Sequence, residues 1–257
     1  MDTNTRPIGV FDSGVGGISV LRELVKLMPG ENYLYFGDSA NAPYGTRSAQ
    51  EVIDFTIKNI EFLFEQGAKA IVIACNTATS VAIRILRETY PDIPIIGIEP
   101  ALKPAVLARE HSRVLVMATP MTLEQEKFNS MLHVYEEDAA ITKVPCPGLV
   151  ELIEDGILEG PKLLSYLEDR FSSFEKEKVD AVVLGCTHYP LIKGSIQRIF
   201  PNTVIYDGGY GTAKQTRKRL LECGLLSEQT SGGTVHFFNS KQTEEMLALS
   251  KRLLTLP

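Results

Sequence analysis

AKAIVIACNTATSVAIRIL, residues 68–86, runs apolar without a break, halts on Cys75, Asn76 and Thr77, and then resumes at helical spacing. An apolar run without alternation is a strand covered on both faces, as in a parallel sheet with helices on each side. The same succession recurs in VDAVVLGCTHYPLIKGSIQRI, residues 179–199: a strand, a small residue, a cysteine at 186, a short polar stretch and a helix. The two cysteines lie roughly one domain's length apart, so the chain reads as two related doubly wound α/β domains.

The rest of the sequence fits that reading. Further apolar runs stand at 8–11 (IGVF), 33–37 (YLYFG), 93–98 (IPIIGI), 113–118 (RVLVMA), 203–206 (TVIY) and 235–238 (VHFF). Amphipathic stretches at 19–28, 48–67 and 161–177 predict helices between them. The proline pair in IEPALKP (98–104) marks a crossing into a second domain, and the glycines of YDGGYG (206–211) mark the return. The expected division is therefore 1–98 plus 207–257 for a discontinuous first domain, and 99–206 for the second.

Composition narrows the function. The chain has 257 residues, 44% of them hydrophobic, with a formal charge of -6, which suits a globular protein and argues against nucleic-acid binding. The basic stretch KQTRKR (214–219) has the spacing of a solvated helix face. No run reaches transmembrane length, and the opening MDTNTRP lacks the features of a signal peptide, so a cytoplasmic protein that makes no membrane contact is expected. Cysteines at 75, 146, 186 and 223 form no C-x-x-C and lie near no His pair, so neither zinc nor a redox dithiol is indicated.

In doubly wound sheets, ligands bind beyond the carboxyl ends of the strands. There the chain places FDSGVGGIS (11–19), with Asp12, Ser13 and three glycines that can bare N–H groups to a carboxylate or other anion. It is not a dinucleotide fingerprint, which needs glycine where Ser19 stands, nor a P-loop, which needs a lysine. GDSANAPYG (37–45) adds Asp38, Ser39, Tyr44 and Gly45 at the same edge. Cys75 falls at a helix start, where the dipole would lower a thiol pKa toward neutrality. Cys186 repeats the setting, with Thr187 and His188 beside it, whereas Cys146 and Cys223 read as structural.

Two such thiols facing one pocket can form a disulfide, hold a metal, or act as acid and base. A disulfide is unusual in a reducing compartment, and a metal wants further ligands. Acid–base chemistry needs no cofactor, and a racemase in particular needs two similar groups on opposite faces of one carbon. Asp12 and His188 stand where they can relay protons to the thiols.

FDSGVGG, GDSANAPYG, ACNTAT and GCTHYPL, in this order and spacing, resemble the glutamate racemases of the Asp/Glu racemase family, over essentially the whole chain. The resemblance implies two α/β domains facing each other across a buried central cleft, and a homodimer. It implies Cys75 and Cys186 as the acid/base thiols, with Asp12 assisting the first and His188 the second. Ser13, Tyr44, Gly45, Asn76, Thr77 and Thr187 would hold the substrate's amino and carboxylate groups. Thr119 and Thr122 match positions that help hold it, and Glu154 matches a glutamate near the second thiol. Aspartate or hydantoin racemisation uses the same two-thiol logic, and a non-catalytic amino-acid-binding protein would share the fold.

Overall fold

A computed structural model describes residues 3–135 and 137–255. Its strands are β1 (Ile8–Asp12), β2 (Tyr33–Gly37), β3 (Ala70–Ile73), β4 (Ile95–Gly97), β5 (Ser112–Ala118), β6 (Ala139–Pro145), β7 (Ala181–Leu184), β8 (Val204–Asp207) and β9 (Val235–Asn239). They form two all-parallel sheets, ordered β4-β3-β1-β2-β9 and β6-β5-β7-β8. Read from its other edge, the second sheet runs β8-β7-β5-β6, which repeats the β4-β3-β1-β2 order of the first. The doubling expected from the cysteine segments is thus a doubling of topology, with β7 in the place of β3.

The helices between them are α1 (Ile18–Leu27), α2 (Ala49–Glu65), α3 (Asn76–Thr89), α4 (Leu102–Val106), α5 (Pro120–Glu124), α6 (Glu126–His133), α7 (Leu149–Glu154), α8 (Pro161–Arg170), α9 (Lys193–Ile199), α10 (Gly209–Glu222) and α11 (Glu244–Leu254). Alternate residues of β3 enter opposite apolar layers, Ala70 and Val72 with α1 and α10, and Ile71 and Ile73 with α2 and α3. The second sheet is likewise covered on both faces, which is why its runs are continuous rather than alternating. Ser48 caps α2 by accepting from the Glu51 N–H, while Glu51 reaches back to Ser48. Among the described residues no helix is long and apolar enough to cross a membrane.

Two elements depart from the sequence reading. Strand β6 is absent from it, because ITKV at an exposed edge mixes polar and β-branched residues and gives no continuous apolar run. The helix expected over 161–177 ends at Arg170: the Ser172 hydroxyl donates to the Asp169 carbonyl and draws the backbone into a turn. Between the sheets the chain crosses at 98–101 and again at 207–209. The crossings touch, for Gly208 lies against the Glu99 carbonyl so closely that a Cβ would collide with it.

Candidate active site

The carboxyl ends of β1, β2 and β3 meet those of β5 and β7 around one small, nearly closed cavity. Its lining includes Ser13, Tyr44, Gly45, Cys75, Asn76 and Thr77 from the first sheet's loops, and Thr119, Cys186, Thr187 and His188 from the second's. Pro43, Val150 and Gly185 complete it. The space open to a water-sized sphere is about 10 Å³, roughly what one water molecule requires. Asp12, Thr122 and Glu154 do not line the cavity; they stand behind residues that do.

Cys75 is itself the N-cap of α3, its sulfur accepting from the Ala78 N–H at 3.4 Å. Its thiol donates to the Ser13 hydroxyl, also at 3.4 Å, so Ser13 rather than Asp12 is its hydrogen-bond partner. The expectation that the helix dipole would bring this thiol toward neutrality is overturned. Burial pushes it up to about 12, the Asp12 charge adds to the rise, and the Ser13 and Ala78 contacts offset only part of it. Burial thus favours the protonated thiol at Cys75.

Cys186 does not repeat the capping arrangement. After it the chain makes a turn through Thr187 and His188 and a short 3-10 segment, Tyr189–Ile192, with α9 starting only at Lys193. Pro190 allows that first turn but supplies no N–H to a helical ladder. The partner of Cys186 is instead the His188 ring, Nδ1 standing 3.7 Å from the sulfur. The other ring nitrogen meets Glu154 Oε1 at 2.6 Å. Burial alone would lower the His188 pKa, but the hydrogen bonds and charges of Cys186 and Glu154 prevail and raise it well above the usual value. Glu154 shows the converse: burial works to raise it, and His188 with the Val15 N–H holds it below the carboxylate norm.

Asp12 is fully buried. Its Oδ1 accepts from the Gly14 N–H at 3.0 Å and its Oδ2 from the Thr187 hydroxyl at 2.9 Å. Burial lifts it to about 6, against the His188 charge and both hydrogen bonds. This places a carboxyl that titrates near neutrality close to Cys75.

The glycine loop does bind a carboxylate, and that carboxylate belongs to the protein: the Val15 N–H donates to Glu154 Oε1 at 2.7 Å. Gly14 lies against the Glu154 carboxylate and Gly16 against the His188 ring, each with no room for a Cβ. The glycines therefore serve close approach between the two halves, which one-domain sequence patterns do not reveal. On the far side of the cavity, the hydroxyls of Thr77, Thr119 and Thr122 form a triangle with sides of 3.0–3.2 Å. The Tyr44 hydroxyl turns away and donates to Asp38 at 2.6 Å. The buried side-chain amide of Asn76 has neither its nitrogen nor its oxygen hydrogen-bonded. Cys146 is a packing residue whose thiol donates to the Val144 carbonyl, while Cys223 is exposed.

The Asp/Glu/Hydantoin racemase family profile matches residues 8–215. The chain belongs to this racemase family. Glutamate racemase of Clostridium acetobutylicum is 51% identical over 256 residues, covering 100% of each chain. Among solved structures, glutamate racemase from Francisella tularensis in complex with D-glutamate superposes with a TM-score of 0.83 at 32% identity, over 98% of this chain and 95% of that one. The Escherichia coli glutamate racemase, in complex with L-glutamate and the activator UDP-MurNAc-Ala, gives 0.85 at 30% identity, over 96% and 95%. This racemase is accordingly an isomerase of two-sheet α/β architecture. Sequence reasoning passed over Val150, Gly185 and Ser19, whose hydroxyl donates to the Thr187 carbonyl at 2.9 Å. Each stands in an apolar or turn context that reads as packing.

Proposed function

We propose that the protein interconverts L- and D-glutamate by a cofactor-independent, two-base 1,1-proton transfer. The observation that carries this reading is the pair of cysteines at the ends of topologically equivalent strands, lining one cavity from opposite halves of the molecule. Cys75 takes the α-proton from D-glutamate and Cys186 from L-glutamate, and the opposite thiol delivers a proton to the other face. Before each abstraction the reacting thiol loses its proton. Asp12, titrating near 6 and near enough for its charge to act on Cys75, is the acceptor on that side, and His188, with Nδ1 3.7 Å from the sulfur, is the acceptor on the Cys186 side.

The carbanion formed at the α-carbon carries its charge into the carboxylate. Preorganised donors stabilise it there, in a site dry enough for each hydrogen bond to count strongly. The unpartnered amide of Asn76 supports this, because a buried amide without partners costs on the order of 1–3 kcal/mol unless a ligand satisfies it. Thr77, Thr119, Thr122, Thr187, Ser13 and the Tyr44–Gly45 turn complete the substrate cradle. Glu154 acts through His188. The division into 1–98 plus 207–257 and 99–206 makes the cleft the boundary between two domains. The protein works as a cytoplasmic homodimer supplying D-glutamate for peptidoglycan.

The test is incubation of L-glutamate with the protein in deuterium oxide, followed by circular dichroism and NMR. Loss of optical activity with one deuterium entering the α-position is expected, and Cys75→Ala and Cys186→Ala should each abolish it. Faster turnover of L-aspartate than of L-glutamate would reassign the substrate, and full activity in either cysteine variant would sink the two-base mechanism.

A further inference from the structure

Behind the glycine loop stands a group to which the mechanism gives no role. Tyr35, on β2, is fully buried, and its hydroxyl donates to the Gly14 carbonyl at 2.6 Å. Gly37, two residues further along the same strand, also lies against that carbonyl: a Cβ there would stand 2.5 Å from its oxygen. The Asp38 N–H donates to the Asp12 carbonyl at 2.9 Å, so the end of β2 grips the loop at its start as well.

The Gly14 carbonyl and the Val15 N–H belong to one peptide unit, which is planar and, being trans, points its oxygen and hydrogen in opposite directions. A donor on the oxygen therefore fixes where the N–H points. Here the N–H points at Glu154 Oε1, 2.7 Å away, and the same oxygen meets His188 Nε2 at 2.6 Å. His188 Nδ1 in turn stands 3.7 Å from the Cys186 sulfur. The result is an unbroken series from Tyr35 through one peptide, Glu154 and His188 to the thiol. In a buried series of this kind each bond polarises the next. Burial, with the charges of Asp12, Glu154 and Cys75 around it, raises the Tyr35 hydroxyl well above its usual value, so it remains a donor across the working pH range.

We propose that Tyr35 is a positioning residue for the second thiol: by holding the oxygen of the Gly14–Val15 peptide it aims that peptide's N–H at Glu154, and through Glu154 it sets His188 against Cys186. The proposal rests on the reading of Cys186 as an acid/base group. It also gives the Tyr35 hydroxyl a task distinct from that of Tyr33 in the same strand, which donates to the Leu24 and Met28 carbonyls.

Tyr35→Phe removes the hydroxyl and nothing else. The expected result is a fall of about tenfold in kcat/KM, equal in the two directions because two enantiomers have an equilibrium constant of one, with KM changed less than twofold. The fall should be non-additive with Glu154→Gln: once Glu154 no longer carries a carboxylate, loss of the tyrosine hydroxyl should matter little. Gly37→Ala puts a methyl group against the same carbonyl and should reproduce the loss with Tyr35 intact, which covers the case of a Tyr35→Phe protein that melts below the assay temperature. Wild-type kcat/KM in folded Tyr35→Phe, full additivity with Glu154→Gln, or wild-type activity in Gly37→Ala would each overturn the proposal. Failure of the unaltered protein to racemise glutamate is a separate result, and it would overturn the reading of the site on which the proposal rests.

Discussion

At Asp12, the proposed proton-accepting role and stability pull in opposite directions. Its carboxyl titrates near 6 in the folded protein and near 3.8 when free, so the folded state binds the proton more readily between those values. Stability from this residue is therefore lost as pH rises from about 4 to 6 and stays lost above, by roughly 3 kcal/mol at most. Asp12→Asn should melt higher than the unaltered protein at pH 7 by about 1 to 2 kcal/mol, since asparagine forfeits one of the two hydrogen bonds, and the gain should vanish below pH 4. Racemisation in the same variant should drop by at least about 100-fold, in line with the usual contribution of a positioned acid or base. Melting curves at pH 3.5 and 7.5, paired with rates, check both signs. Much of this scale was legible in the sequence, because Cys75, Cys186, Asp12 and His188 all fall just beyond apolar runs. The state of the Cys75 thiol was not. A helix start argues for a low pKa and burial for a high one, and only the closed cavity, with Cys75 5% exposed, shows that burial prevails.

At the scale of elements, the loop joining β1 to α1 is shaped by residues more than a hundred positions away. Glycines 14 and 16 are read from sequence as turn formers, yet neither has the positive φ that would demand glycine for conformational reasons. What demands it is the Glu154 carboxylate against one and the His188 ring against the other. Gly16→Ala should force the imidazole aside, at a cost of about 1–3 kcal/mol for the overpacked contact, and lower kcat/KM by roughly 10- to 100-fold through a displacement of order 1 Å. A thermal melt together with a rate measurement separates the two effects; unchanged rates would mean that the ring has room to move. The strands buried on both faces were read almost to the residue. Edge strand β6 was not: the other edge strands carry short apolar runs, but AAITKVP exposes Ala140, Thr142 and Lys143 and so has no continuous apolar signature.

For the whole molecule, the cavity is too small for the ligand. A cavity with space for about one water predicts that the two sheets part to admit an amino acid and close again around it. Contacts that bridge the halves include Val15 to Glu154, Thr187 to Asp12, Ser19 to Thr187 and Thr77 to Thr119 and Thr122, so opening would free Asp12 and Glu154 from partners in the opposite half. Amide hydrogen exchange across residues 12–19 should accordingly slow when D-glutamate is added, and Glu154→Gln should speed exchange at Val15 in the free protein. Equal exchange with and without D-glutamate would argue against such an opening. The paired crossings near Glu99 and Gly208 carry one more consequence, concerning how two copies of the chain can entangle. A terminal unit is traded between copies by straightening a single linker, but the second sheet is joined to the first at two crossings, near Glu99 and Gly208, that lie against each other. Exchange of the second sheet between copies would require both crossings to detach together, so this connectivity disfavours a swapped dimer.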